Sequence, residues 1–254
     1  MRVLVCIKRV PAVAGRITLT DGDRAIDTRY LGFAIGPHEE CGVEEAVRLI
    51  EANSGESVVL TLGPAEAVEQ LRDALALGIT RAIHLVTSGE EWDGQSAASA
   101  IVGAVQADEA ANGPFDLILL GNESADAGGY QVGVRIGRAL GRPVVAGIKG
   151  LTAADGKVRC EQEAAGGRDV YEVPLPAVVS VLEGINLPRY PSVPGRIRAK
   201  SKPVAGSNPE RPAQRLEMIR LVVPQLAASE ATVLGHGPDA ASAVVDMLAS
   251  LGVL

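Results

Sequence analysis

"DLILLGNESADAGGYQVG", residues 116–133, reads as a strand, a loop and the start of a helix in one continuous stretch. After Asp116 the first residues are apolar on both alternations, as expected of a parallel strand covered on both faces. The next residues are small, polar and glycine-rich. From residue 129 to 140 the period changes, and Val132, Ile136, Ala139 and Leu140 fall on one side of a helix.

The same strand texture occurs in "VLVCIK" (3–8), "SVVLTLG" (57–63), "AIHLVT" (82–87) and "PVVAGI" (143–148). Helical patterns separate these runs. Residues 37–53 place Val43, Val47 and Ile50 at i, i+4 and i+7; residues 64–77 do the same with Val68, Leu71 and Leu75; residues 95–111 are Ala-rich. Alternating strands and helices predict an α/β fold: a doubly wound, mostly parallel sheet with right-handed crossovers and five strands before residue 150. Two hairpins are expected as insertions. One is "ITLTDGDRAID" (17–27), which alternates around an Asp-Gly. The other lies within residues 157–181 and turns at Gly166-Gly167, leading into a final sheet strand at "LPAVVSV" (175–181). After Pro188 the texture changes, Pro, Ser and Asn dominate to Pro212, and a last helix is expected over 239–251. The division expected is a nucleotide-binding α/β domain over 1–185 and a recognition loop plus extended C-terminal arm over 186–254.

Composition narrows the function. Hydrophobic residues make up 47% of the 254, aromatics only 3%, so the core is built from aliphatic side chains. A net charge of −7 argues against general nucleic-acid binding. Three widely spaced cysteines, Cys6, Cys41 and Cys160, fit a reduced compartment better than a disulfide framework. No apolar run reaches the ~18 residues of a membrane span. A cytoplasmic protein is expected.

Catalysis finds little support. His38, His84 and His236 lack partners at metal or triad spacing, and no metalloprotease, nucleophile-elbow or P-loop motif is present. His84, inside an apolar run, reads as structural. Glu39, Glu40, Glu44 and Glu45 read as a helix start complementing the dipole, with a buried acid pair as the competing reading. No catalytic and no metal-binding residue is assigned.

A nucleotide site is better supported. Ligands on doubly wound sheets sit beyond the carboxyl ends of the strands. Three segments fall there: Cys6; the helix start Gly36, Pro37, His38 and Glu39; and the loop from Gly121 to Gly133. Gly128 and Gly129 let backbone N–H groups approach a phosphate, with a helix N-terminus behind them. An ordinary strand-to-helix turn is the competing reading.

The stretch "INLPRYPSVPGRIRAKSK" (185–202) poses a separate question. Its three prolines predict that it forms no helix. Val193 lies near its middle, and Arg189, Arg196, Arg198, Lys200 and Lys202 have no acidic residue among them. A stiff segment with an apolar tip and basic flanks suits partner docking, because preorganisation lowers the entropy lost on binding.

These residues together resemble the β subunit of electron-transferring flavoprotein. The resemblance runs over most of the chain, through "VLVCIKRVP" (3–11), "VEEAVRL" (43–49), "ALALGITRAIHL" (74–85), "DLILLGNESAD" with "QVG" (131–133), "LPAVVSV" and, most specifically, "NLPRYPSVPGRIRAK" (186–200). It implies a sheet of the adenine nucleotide α-hydrolase-like kind. It implies a heterodimer in which this subunit does no substrate chemistry and the complex carries electrons from flavoprotein dehydrogenases to a quinone reductase. FAD would be held mainly by the α subunit. A structural AMP would lie in this one, against Cys6, Gly36, Pro37, His38, Glu39, Leu62, Gly121, Asn122, Glu123, Ser124, Ala125, Asp126, Ala127, Gly128, Gly129, Tyr130, Gln131 and Val132. The loop Asn186, Leu187, Pro188, Arg189, Tyr190, Pro191, Ser192, Val193 and Pro194 would anchor a dehydrogenase, with Val193 at the apolar anchor position. The family's usual Asn-Pro opening of the first helix is Gly36-Pro37 here, and a common Asn before the Gln is Tyr130. These changes leave room for a second flavin in the AMP position. The competing function is an adenine-nucleotide-binding sensor without a redox role, which would have no use for residues 186–202.

Overall fold

The computed structural model describes residues 1–12, 17–213, 215–216, 218–224 and 232–254. Residues 225–231 of the expected arm lie outside the described residues.

The chain opens with β1 (Arg2–Ile7) and a short β2 (Arg9–Pro11), which pairs antiparallel with β3 (Phe33–Ile35). Then come α1 (Pro37–Asn53), β4 (Glu56–Gly63), α2 (Val68–Leu77), β5 (Arg81–Val86), α3 (Gly94–Asn112), β6 (Leu117–Gly121) and α4 (Val132–Leu140). The second half holds β7 (Val144–Ala154), β8 (Lys157–Ala164), β9 (Gly167–Pro174), β10 (Ala177–Val181), α5 (Val193–Ala199), β11 (Val204–Ser207) and α6 (Ala241–Ser250).

Among the described residues, nine strands form one sheet in the order β11-β5-β4-β1-β6-β10-β7-β8-β9. Every pairing from β11 to β7 is parallel; β7, β8 and β9 form the antiparallel end. The five parallel strands expected before residue 150 are all present, as is the turn at Gly166-Gly167 that joins β8 to β9. The residues of β1 divide between two cores. Val3, Val5 and Ile7 pack with Val43, Val47, Leu71 and Leu75 of α1 and α2. Leu4 and Cys6 pack with Ala98, Ile101, Val105 and Ile136 of α3 and α4. Alternate positions of one strand therefore need apolar side chains for different helices, which explains its unbroken apolar texture.

The structure differs from expectation at several points. Residues 17–27 form a hairpin-shaped turn with a single antiparallel bridge, Leu19 to Ile26, and do not join the main sheet. Its flanks are largely exposed and have no apolar face to bury. The expected final sheet strand, β10, takes a central place: it lies between β6 and β7 with every residue buried. Pro174 and Pro176 precede Ala177, so they stop the chain before the ladder begins and remove no bond from it. Residues 185–202 contain a helix, α5. Pro194 occupies its first turn, where the missing N–H has no intrahelical partner to lose, and Ser192 caps it by accepting from the Gly195 N–H at 3.1 Å.

At the amino ends of the strands, Arg2 and Arg81 share Glu56 and Asp108 at 2.7–3.0 Å. This network ties β1, β4, β5 and α3 together at the end of the sheet away from the candidate site. Among the described residues, no helix is long and apolar enough to cross a membrane.

Candidate functional site

Strand order reverses around β1. The chain runs from β1 outward through β4 and β5, then crosses to β6 on the other side. Beyond the carboxyl ends of β1 and β6 lies the crevice where doubly wound folds bind ligands. Cys6 pairs in register with Leu60 of β4 and Leu120 of β6, and Leu62 extends β4 by two residues past that level. Cys6, Leu62 and Gly121 therefore meet at one end of the sheet. Burial pushes the Cys6 thiol up to about 12, so it lines the crevice as a neutral apolar group.

Helix α1 starts at this crevice. Gly36 is its cap and offers no side chain; Pro37 opens the first turn. The Glu39 side chain turns back into the space that Gly36 and Gly121 leave open. A Cβ on Gly121 would lie 2.9 Å from Glu39 Cγ and Cδ and 3.0 Å from His38 Cβ, closer than carbon atoms pack. Glu39 is 5% exposed, and among the described residues its Oε2 has no hydrogen-bond partner; neither has the buried Nδ1 of His38. Burial raises the Glu39 carboxyl to about 7. Its own backbone N–H opposes the rise, Asp126 adds to it, Lys8 opposes it and Glu40 adds to it.

The loop from Gly121 to α4 is held at both ends. Asn122 accepts from Ser180 Oγ at 2.9 Å, and its N–H donates to the Val181 carbonyl at 2.9 Å. Lys8, just past β1, bridges Asp126 and Glu91 at 2.8 Å each, tying the loop to the strand beside it. Gly128 adopts φ +72°, which favours glycine, and donates to the Ser124 carbonyl. Helix α4 has no side-chain cap; its Val132 N–H donates to the Gly129 carbonyl at 3.2 Å, and the Gly133 and Val134 N–H groups of the same turn have no side-chain acceptor. Gln131 turns away: it packs on Gly94 and accepts from Arg135 Nε at 2.7 Å. Tyr130 is 63% exposed. Uncapped donors, a left-handed glycine and unpartnered buried polar atoms together suit a nucleotide. The backbone of residues 128–133, with Cys6, Leu62, His38 and Glu39, could hold one.

The second candidate region, residues 186–194, lies along α1. Asn186 Nδ2 donates to the Cys41 carbonyl at 3.0 Å and to Glu45 Oε2 at 2.9 Å. Arg189 pairs with Glu44 and Glu51 at 2.9 and 2.7 Å. Burial alone would raise Glu44, but the hydrogen bonds from Arg189 and Arg48 win and hold it below the ordinary carboxylate range. So Glu44 and Glu45 do not serve the helix dipole. They are buried anchors for a distant segment. Above them Leu187, Tyr190, Val193 and Ile197 are 64–97% exposed. The basic run is not one uniform patch either. Arg189 is paired, Arg196 lies 3.5 Å from Asp73, and Lys202 donates to the Leu75 and Ile79 carbonyls at the end of α2. Among the described residues, Arg198 and Lys200 have no side-chain ion pair.

His84 is buried, with Nε2 within 3.1–3.3 Å of the Gly63 and Pro64 carbonyls, in keeping with the structural reading. Lys8 was missed from sequence. The available signal was its place directly after an apolar strand facing the loop.

Fold and site together define a doubly wound α/β protein with a crevice beyond β1 and β6 and an exposed apolar segment held on α1 by Asn186 and Arg189. The Electron transfer flavoprotein domain matches residues 24–211. The chain is 36% identical over 230 residues to an electron transfer flavoprotein subunit beta of Syntrophomonas wolfei, covering 90% of this chain and 88% of that one. It is 32% identical to the subunit beta of Bacillus subtilis over 80% of this chain and 77% of that one. It is also 32% identical to the subunit beta of Mus musculus over 80% of each. The chain belongs to the electron transfer flavoprotein β-subunit family.

Proposed function

We propose that this chain is the β subunit of a heterodimeric electron transfer flavoprotein, moving electrons from flavoprotein dehydrogenases to a quinone reductase or another acceptor. The observation that carries this reading beyond family membership is the docking segment. Exposed Leu187, Tyr190 and Val193 stand on a base held by Asn186–Glu45 and Arg189–Glu44. A nucleotide sensor without a redox role needs no such segment.

In this reading the chain does no substrate chemistry and acts only in complex with its α subunit. FAD, which accepts and donates the electrons, is held mainly by that subunit. An AMP lies in the β-subunit crevice with a structural role, its phosphate toward Gly128, Gly129 and the α4 N-terminus, where the anion meets backbone donors and the helix dipole. Residues 186–194 engage the dehydrogenase. The protein works in the cytoplasm.

Co-expression with the α subunit tests the assignment. The complex is expected to be yellow with about one FAD, and the chain purified alone colourless. Stoichiometric flavin in the lone chain would instead favour a second flavin in the AMP position. Nucleotide released on denaturation and identified by mass spectrometry decides the occupant.

A further inference from the structure

We propose that the crevice beyond β1 and β6 takes a nucleoside phosphate together with one proton, and that Glu39 carries that proton as a neutral carboxyl while the nucleotide is bound. The inference rests on the nucleotide reading above and adds to it a protonation state and a residue.

The geometry comes first. Glu39 is 5% exposed, and among the described residues its Oε2 meets no donor or acceptor. Two glycines, Gly36 and Gly121, leave the volume it fills; a side chain on either would collide with it. An ionised carboxylate in that position keeps a full charge with one oxygen unpaired, which burial makes costly. The neutral acid has an O–H that needs an acceptor. A phosphate oxygen is a strong one, and the loop suited to hold it begins at Gly121, against the Glu39 side chain.

The charges around Glu39 point the same way. On its own helix are Glu40, which disfavours a second negative charge, and His38, whose Nδ1 is unpartnered. The loop after β6 presents Asp126, also unfavourable. From the end of β1 come Cys6, a neutral thiol, and Lys8. Among the described residues Lys8 is the opposing charge, and it is already engaged by Asp126 and Glu91. Burial and these neighbours raise the carboxyl to about 7 before any ligand arrives. A phosphate brings further negative charge to the crevice, so it raises the proton affinity of Glu39 again. By linkage, protonation then strengthens nucleotide binding by the same factor.

The sign follows. Below the free value of Glu39 the acid is already neutral, and affinity does not depend on it. Between the free and the bound value each bound nucleotide takes up a proton, and affinity falls as pH rises.

The test is calorimetric titration of the heterodimer, cleared of co-purified nucleotide, with AMP from pH 7 to 9. This window lies above the phosphate's own second ionisation near ~6. Two buffers of different ionisation enthalpy count the protons. The wild type is expected to lose up to about tenfold in affinity per pH unit and to take up close to one proton at the steepest point. Glu39→Gln keeps a neutral hydrogen-bonding group of the same shape. It is expected to bind AMP with nearly constant affinity across the window, without proton uptake. A flat wild-type profile with no proton uptake, or an unchanged slope in Glu39→Gln, overturns the inference and leaves the nucleotide site standing. Absence of AMP binding at every pH overturns both. The proton count on the wild type decides the matter even if Glu39→Gln does not fold.

Discussion

Arg189 Nε lies 2.9 Å from Oε2 of Glu44, and one of its terminal nitrogens lies 3.1 Å from Oε1, so the guanidinium grips the buried carboxylate at two points. The other terminal nitrogen reaches Glu51 at 2.7 Å, one turn beyond Arg48 on the same helix. Residues 186–194 are thereby mounted on α1, whose first turn lies against Gly121 at the carboxyl end of β6. One helix thus carries a wall of the crevice and the base of residues 186–194.

Arg189→Ala is expected to destabilise the protein by about 1–3 kcal/mol, less than a fully buried pair, because Arg48 still serves Glu44 and Arg189 is partly exposed. Arg189→Lys should recover only part of this, since an ammonium cannot form the two-point grip. Urea unfolding curves of the three proteins measure it. Equal midpoints for Arg189→Ala and wild type would mean that the pair contributes nothing to stability.

Ser192 caps α5 and so sets the direction of Val193, the first helical residue. Ser192→Ala is expected to cost about 1 kcal/mol locally. Faster amide exchange confined to residues 193–199 would report the loss, and dehydrogenase coupling should weaken with it. Unchanged exchange would mean that packing on α2, not the cap, holds the helix.

Val193 is 72% exposed. If a partner pocket buries it, Val193→Ala removes roughly 1–2 kcal/mol of apolar contact, or about tenfold in affinity. Reduction of the heterodimer by its dehydrogenase should slow at low donor concentration, with flavin content and melting temperature unchanged. Equal apparent affinities would place the anchor elsewhere, with Leu187 and Tyr190 as the next candidates.

Opposite pH dependences are expected from two glutamates on α1. Glu44 is held below its ordinary value of 4.5, so its contribution is fully present above that value and is lost as pH falls through the folded value. Glu39 is raised to about 7, so the folded state binds the extra proton between 4.5 and 7, and stability declines as pH rises through that window. Glu39→Gln should therefore melt higher than wild type at pH 8 and nearly with it at pH 4.5, measured without nucleotide. A difference that is the same at both pH values would rule out titration of Glu39 as its source.

Much of the fold was legible because a strand covered on both faces needs apolar residues at nearly every position, and that demand is local. The runs at 3–8, 57–63, 82–87, 116–121 and 143–148 declared themselves in this way, as did the turn at Gly166-Gly167. Helix α5 was not legible. Proline forbids a helix interior but suits a first turn, and the difference rests on where the cap falls, at Ser192. The central place of β10 was also hidden, because strand order depends on long-range pairing that no local pattern records.

The sequence by itself determined the alternation of strands and helices, the loop at the carboxyl end of β6 and an apolar, proline-bounded stretch at 186–194. Only the tertiary structure decided what the charged side chains do. Glu44 reads from the sequence as part of a helix start complementing the dipole, yet its partner Arg189 stands 145 positions away. Glu39 reads the same way, and its burial depends on glycines at positions 36 and 121 meeting around it. A buried charge is tolerated or strained according to the groups the fold brings beside it, and those come from elements far apart in the chain.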